Sequence, residues 1–308
     1  MRGRRGAAPA PSLHYPRRVR ALLIVNPYAS GVDERRLGDV AAALGGPEVV
    51  RTSAAGEATG LAREAAGRVE AIHVWGGDGT FNEVLNGVDR ATPLGLVPGG
   101  GTSVLPRALG LPRDPVRAAE RIARGRERRI GLGRANGRRF GFNAGIGLDA
   151  ELVRRVDALG RRADGKRPGD AAFAWTAVRL LVERRGRLEP ALELEGLGRA
   201  AFALVANCRP YTYVGSLGLP VAPEASFDAG LDVVAPVRVR ARSLPRLARY
   251  AVRGRGQQRA QDILYAHDLA RLVVRCDVPT PVQLDGEDLG DAAEVAFEAE
   301  PAAVTVLV

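Results

Sequence analysis

Apolar residues in the first 130 positions come in short unbroken runs separated by stretches with helical spacing. Arg20–Pro27, Glu48–Thr52, Ala71–Trp75 and Pro93–Pro98 read as strands, and the continuous runs among them predict burial on both faces. Between the strands, Asp33 is placed to cap a helix through Leu44, and Glu57–Gly67 gives a second helix. Phe81, Val84, Leu85 and Val88 share one face of a third helix, which ends near Gly87. Ser103–Leu109 and Asp114–Gly125 complete the series, with Val116, Ala119, Ile122 and Ala123 on one side of the last helix. Alternating strands and helices predict a parallel sheet covered on both faces. Ligands in such folds bind beyond the carboxyl ends of the strands. Three turns rich in glycine or asparagine fall there: Asn26–Gly31, Gly76–Thr80 and Gly99–Thr102.

The pattern changes after about Arg126. Arg138–Gly147 reads as a strand running into another glycine-rich turn. Asp149–Leu159 is amphipathic, Gly160–Gly169 is a basic loop, and Asp170–Arg185 is helical. Short strands follow at Leu188–Leu194, Ala200–Asn207, Leu231–Pro236, Leu269–Cys276, Pro281–Leu284, Glu294–Glu298 and Ala303–Leu307, with one helix near Ser243–Gly254. That spacing predicts an antiparallel sandwich or barrel. The expected architecture is an α/β N-terminal domain with a parallel sheet at 19–130, then a C-terminal, mainly antiparallel β-sandwich at 131–308. A disordered basic arm covers 1–18, the last strands are free to return to the first domain, and a cleft separates the two.

Composition narrows the function. The chain has 308 residues, enough for a substantial core, and a formal charge of +10. Arginine is abundant and lysine almost absent, a bias that high genomic GC content produces without functional pressure. The charge still favours anionic partners. Aromatics are only 5%, and no basic stripe is interleaved with stacking rings, which argues against nucleic-acid binding. No apolar run reaches the length of a membrane span, and the N-terminus lacks the apolar core of a secretory signal. Cys208 and Cys276 are isolated and expected to be reduced thiols of a cytoplasmic protein. His14, His73 and His267 show no ligand spacing, and no Ser/His/Asp arrangement supports hydrolase chemistry.

The most specific stretch is Gly76-Gly77-Asp78-Gly79-Thr80, set between a buried strand and a helix. Glycines let backbone N–H groups approach an anion, and a helix N-terminus adds partial positive charge. A carboxylate there would repel phosphate unless a cation lay between them, so Asp78 points to a metal–nucleotide site. The bland alternative is a tight turn with Thr80 as helix cap. Asn82 and Glu83 are expected in the first helical turn, where Glu83 either balances the helix dipole or orders the loop or a metal's water shell. Asn26-Pro27-x-x-Ser30-Gly31 taken alone is an ordinary strand-to-helix turn. Gly99–Thr102 gains weight from its place beside the other two. Near the C-terminus, Asp285-Gly286-Glu287 reads as a hairpin tip, or else as a general base delivered into the cleft.

Together these motifs resemble the diacylglycerol kinase catalytic-domain family, which includes bacterial lipid kinases and sphingosine kinases. The resemblance rests on Asn26-Pro27-x-x-Ser30-Gly31, Gly76–Thr80 with Asn82-Glu83-Val84-x-Asn86-Gly87, Pro98–Thr102, Phe142–Ile146 with Gly147-x-Asp149-Ala150, and Asp285-Gly286-Glu287. The Asn-Ala-Gly-Ile-Gly block separates it from NAD kinases, which share the Gly-Gly-Asp-Gly turn. It implies transfer of phosphate from ATP to a lipid hydroxyl, by default diacylglycerol to phosphatidic acid. ATP contacts are expected from Asn26, Pro27, Ser30, Gly31, Thr52, Gly76, Gly77, Asp78, Gly79, Thr80, Asn82, Glu83, Gly101 and Thr102. Asp78 would meet Mg²⁺ carried by ATP. Glu287 would accept the hydroxyl proton, with Asp285 as helper or alternative. The expected partner is lipid at the inner face of a membrane, reached by peripheral contact, and exposed sheet edges allow a homodimer. Two departures stand out. No Asn follows Gly101-Thr102-Ser103, and Ala229 replaces the second Asp of an Asp-Asp-Gly segment that holds a structural Mg²⁺ in some bacterial members. The alternatives are a kinase of a soluble hydroxyl, as in NAD kinases, or a catalytically silent lipid- or nucleotide-binding regulator.

Overall fold

The computed structural model describes residues 21–160 and 170–308; the expected arm at 1–18 and the basic segment 161–169 lie outside the described residues. The first half alternates as its hydrophobic runs dictate: β1 (Ala21–Val25), α1 (Leu37–Ala43), β2 (Glu48–Arg51), α2 (Glu57–Ala65), β3 (Ala71–Gly76), α3 (Asp78–Leu85), β4 (Leu94–Pro98), α4 (Val104–Ala108) and α5 (Pro115–Ala123). The strands pair in parallel in the order β2-β1-β3-β4. Every residue of β1, β3 and β4 is buried, as a sheet covered on both faces requires. Leu23, Ile24, Trp75 and Leu96 lie in its core.

The second half is β5 (Glu127–Ala135), β6 (Arg138–Phe140), β7 (Asn143–Ile146), α6 (Leu148–Ala158), α7 (Asp170–Glu183), β8 (Leu192–Leu194), β9 (Gly198–Ala200), β10 (Ala203–Ala206), β11 (Thr212–Val214), β12 (Leu217–Leu219), β13 (Leu231–Pro236), α8 (Leu244–Arg253), β14 (Ile263–Leu269), β15 (Arg271–Leu284) and β16 (Glu287–Leu307). Its strands are antiparallel and enclose a second core, in which Phe140 meets Phe297 edge to face at 6.3 Å. The two halves share one sheet, ordered β14-β13-β10-β7-β15-β16-β4-β3-β1-β2. The join is Val306 in β16, paired in parallel with Leu94 in β4.

Several boundaries differ from the sequence reading. The runs at 269–276 and 281–284 form the single strand β15, and those at 294–298 and 303–307 form the single strand β16. Breaks in register at Arg275/Thr280 and Glu300/Val304 interrupt the hydrophobic alternation and make each strand look like two. The strand β5 spans 127–135, so the expected domain boundary at 130 falls inside it. Helix α3 starts at Asp78 with Gly77 as N-cap. Gly79 and Thr80 are therefore helical rather than turn residues, Thr80 is not the cap, and Asn82 and Glu83 lie one turn further in. No helix among the described residues is long and apolar enough to cross a membrane.

Candidate active site

Three loops meet beyond β1, β3 and β4. The Gly31 N–H donates to Gly99 O at 2.8 Å, and the Gly99 N–H donates to Gly76 O at 2.8 Å. Side chains would push these backbones apart: a Cβ on Gly100 would lie 3.0 Å from Gly77 Cα, and one on Gly31 would lie 3.1 Å from Gly99 O. The glycines thus permit loop-on-loop packing, and Ser30 faces Gly101 across it. Asn26 Nδ2 donates to Thr80 Oγ1 at 2.8 Å, while Asn26 Oδ1 accepts from the Tyr28 N–H at 3.0 Å. Thr80 is buried, and a Cβ on Gly76 would strike it. The side chains of Asn26 and Thr80 therefore brace the first loop against α3. Asp78 sits in the first turn of α3, its Oδ1 accepting from the Leu105 N–H at 3.4 Å. Ser103 holds the third loop in a left-handed conformation, φ 48°, and its hydroxyl bonds back to the Gly100 backbone. Thr52 is buried at the end of β2, with its N–H donating to Val25 O.

The second half delivers two carboxylates on the β15–β16 hairpin. Asp285 and Gly286 both have positive φ, 50° and 80°, as a two-residue hairpin turn demands. Asp285 is buried and accepts from the N–H groups of Gly141 (2.6 Å), Phe142 (2.9 Å) and Asn143 (3.2 Å) and from Asn82 Nδ2 (2.8 Å). Burial raises its pKa, and these four donors oppose the rise. Glu287 is only half-buried. Its Oε2 accepts from Arg138 at 2.6 Å, and its Oε1 reaches so near α3 that a Cβ on Gly79 would lie 2.6 Å away. Burial raises the Glu287 pKa; the Arg138 charge lowers it, and Asp285 and Glu83 add to the rise. A carboxylate with a raised pKa thus faces the N-terminus of the glycine-motif helix.

Two expected nucleotide contacts, Asn82 and Glu83, make structural bonds of their own. Asn82 is fully buried, donating to Asp285 and to Arg139 O and accepting from Arg138, so it joins the two halves of the molecule. Glu83 accepts from the Ala58 N–H at 3.1 Å and caps the N-terminal turn of α2.

Sequence reasoning assigned no role to the residues that hold this junction. Arg139 donates to Leu85 O and Val88 O at the C-terminal end of α3 and makes a bidentate pair with Glu300. Asn86 exchanges hydrogen bonds with the Arg139 backbone. Arg107 stacks 3.3 Å over the Tyr213 ring and donates to Gly215 O and Ser216 O, tying the third loop to the β11–β12 hairpin. A second layer supports the β15–β16 hairpin. Gln283 Nε2 donates to Asp149 at 2.7 Å, Tyr211 Oη donates to the same carboxylate oxygen at 2.8 Å, and Gln283 Oε1 accepts from the Gly286 N–H. Gly145 has no space for a Cβ because the Asp149 carboxylate occupies it. The paired charges and amides of this layer lie far apart in sequence, so no local pattern signals them.

No cluster of three or more His, Cys, Asp or Glu able to hold a metal occurs among the described residues. Asp228 is ion-paired with Arg128. Asp78, in the first turn of α3, would suit a Mg²⁺ that takes one carboxylate and draws its remaining oxygens from phosphates.

Residues 20–135 match the family model described as "Diacylglycerol kinase catalytic domain". The chain is 32% identical over 247 residues to the diacylglycerol kinase of Bacillus subtilis (strain 168), covering 77% of each chain. Its fold is similar to that of a diacylglycerol kinase from Bacillus anthracis str. Sterne, with a TM-score of 0.69, 21% identity and coverage of 94% and 96%. An NAD kinase from Archaeoglobus fulgidus in complex with ATP aligns less well, with a TM-score of 0.50, 13% identity and coverage of 94% and 93%.

Proposed function

The chain belongs to the diacylglycerol kinase family and is a phosphotransferase with an alcohol group as acceptor, and from that premise we propose that it converts diacylglycerol to phosphatidic acid with ATP as donor. The observation that carries the reading is Glu287 Oε1 set against Gly79, which brings a base from the antiparallel half to the mouth of the glycine loops. The loop amides and the N-terminus of α3 hold the phosphates. Asp78 would hold the Mg²⁺ carried with ATP, which would supply charge neutralisation at the transferring group. The acceptor hydroxyl lies between Glu287 and the γ-phosphate. Glu287 takes the hydroxyl proton as the new O–P bond forms and the bond to the β-phosphate bridging oxygen breaks, releasing ADP. Arg138 fixes the other Glu287 oxygen, and Asp285 acts as a positioning residue. Most of the rate gain comes from this positioning and charge stabilisation.

The test is labelled ATP supplied with mixed-micellar diacylglycerol, a long-chain base, an isoprenoid alcohol and NAD, with product identification. Label in phosphatidic acid, lost in Glu287→Gln, supports the reading. Label in NAD alone assigns the protein to the soluble-acceptor alternative.

A further inference from the structure

Helix α7 is apolar on both sides. Thr176 and Leu180 are buried, and the helix packs on α6. The opposite stripe, Ala171, Ala174, Trp175, Val178 and Val182, follows helical spacing and faces solvent. Trp175 and Val182 are 71% and 70% exposed. A helix apolar all round is normally covered, and an exposed stripe of this kind marks a docking surface.

The carboxyl end of α7 abuts the start of α8. Leu188 and Val239 form a β-bridge, and a Cβ on Gly186 would lie 2.9 Å from Ala241 Cβ. The chain around α8 supplies the complementary chemistry. From Arg238 to Arg259, Tyr250 is the only ionisable side chain that is not arginine. Leu244 and Leu247 pack inward against Leu188 and Val239. Arg240 pairs with Glu189 and Arg246 with Asp262. Arg242, Arg249, Arg253 and Arg255 are exposed, with no carboxylate partner among the described residues.

We propose that the apolar stripe of α7 and the arginine face of α8 form one docking surface for an anionic lipid bilayer. Such a bilayer matches both halves: headgroup anions meet the guanidinium groups, and Trp175, Val178 and Val182 enter the headgroup–acyl boundary. A second copy would set arginine against arginine. A nucleic acid would leave the Trp/Val stripe uncovered. The surface connects to the catalytic hairpin through α6, whose Arg154 bonds Asp288, the neighbour of Glu287, and whose Arg155 pairs with Glu183 of α7. The purpose of the surface rests on the lipid-kinase reading, since it would bring that hairpin to membrane-held substrate.

The test uses the full chain without nucleotide, floated with vesicles of phosphatidylcholine alone or mixed with phosphatidylglycerol. Trp75 is fully buried, so a blue shift of emission reports Trp175. The expected result is binding to the anionic vesicles only, weakened by salt, with a blue shift. The pair Trp175→Ala/Val182→Ser and the pair Arg249→Glu/Arg253→Glu should each lower binding about tenfold or more, with unchanged thermal melts. Both should retain turnover on a short-chain acceptor in neutral detergent micelles. Wild-type protein that ignores anionic vesicles, or variant pairs that bind as well as wild type, overturn the surface even in an active kinase. So does a dimer that both pairs dissociate, or tight nucleic-acid binding without vesicle binding. Variant-sensitive vesicle binding by a protein that phosphorylates no lipid keeps the surface and refutes the kinase reading alone.

Discussion

Asn82 in α3 donates a 2.8 Å hydrogen bond to Asp285, 203 positions further along the chain. Both residues are buried, and the bond fixes the hairpin carrying Glu287 to the helix that opens the glycine motif. Asp285→Asn would place an amide donor among four N–H donors. Each carboxylate oxygen accepts from two of them, so the amide would face two donors, at a cost of about 3 kcal/mol or more, measurable by urea unfolding. Turnover should fall as well, because the hairpin that carries Glu287 loses its anchor. Unchanged unfolding would contradict this positioning role.

Gly79→Ala separates stability from chemistry. Gly79 is helical, and alanine is favoured there over glycine by about 1 kcal/mol. The added methyl group would displace Glu287 Oε1. Thermal melts should therefore hold or rise while kcat drops about a hundredfold or more. An active Gly79→Ala enzyme would show that Glu287 works from elsewhere.

The pH profile tests the Glu287–Arg138 pair. The base must be ionised, so kcat/KM should fall as pH drops through the Glu287 pKa, which lies above the ordinary carboxylate value. Arg138 holds that pKa down. Arg138→Leu should shift the acid limb to higher pH, and a shift to lower pH would reverse the electrostatics derived for the pair.

His73 predicts acid sensitivity of the fold itself. It is buried in β3, its Nδ1 has no hydrogen-bond partner, and burial lowers its pKa from 6.5 to about 4. The unfolded chain therefore binds the extra proton first. Stability from this residue is complete above pH 6.5 and declines towards pH 4, by about 3 kcal/mol in all. Urea titrations at several pH values should show that slope, and His73→Gln should flatten it.

The parallel half was legible because its information is local. The continuous runs in β1, β3 and β4 and the glycines after them report burial and turning directly. The same local reading placed Asp78, Gly79 and Glu287 among the candidate residues. It gave no sign of the bonds Asn82 and Glu83 make, because their partners lie elsewhere: Asp285 and Arg138 for one, the amino end of α2 for the other. It also missed β14, whose Tyr265 and His267 interrupt the apolar pattern and pair with Asp232 across the sheet. Arg139 was illegible for the same reason, since its worth lies in the end of α3 and in Glu300.

The most direct measurement of the central claim compares Glu287→Gln with wild type for both ATP binding and lipid phosphorylation. ATP affinity should stay within about threefold, because the glycine loops proposed to hold phosphate are untouched, and kcat on diacylglycerol should fall about a hundredfold or more. Wild-type turnover by Glu287→Gln, with phosphatidic acid still the product, would contradict the assignment of the base.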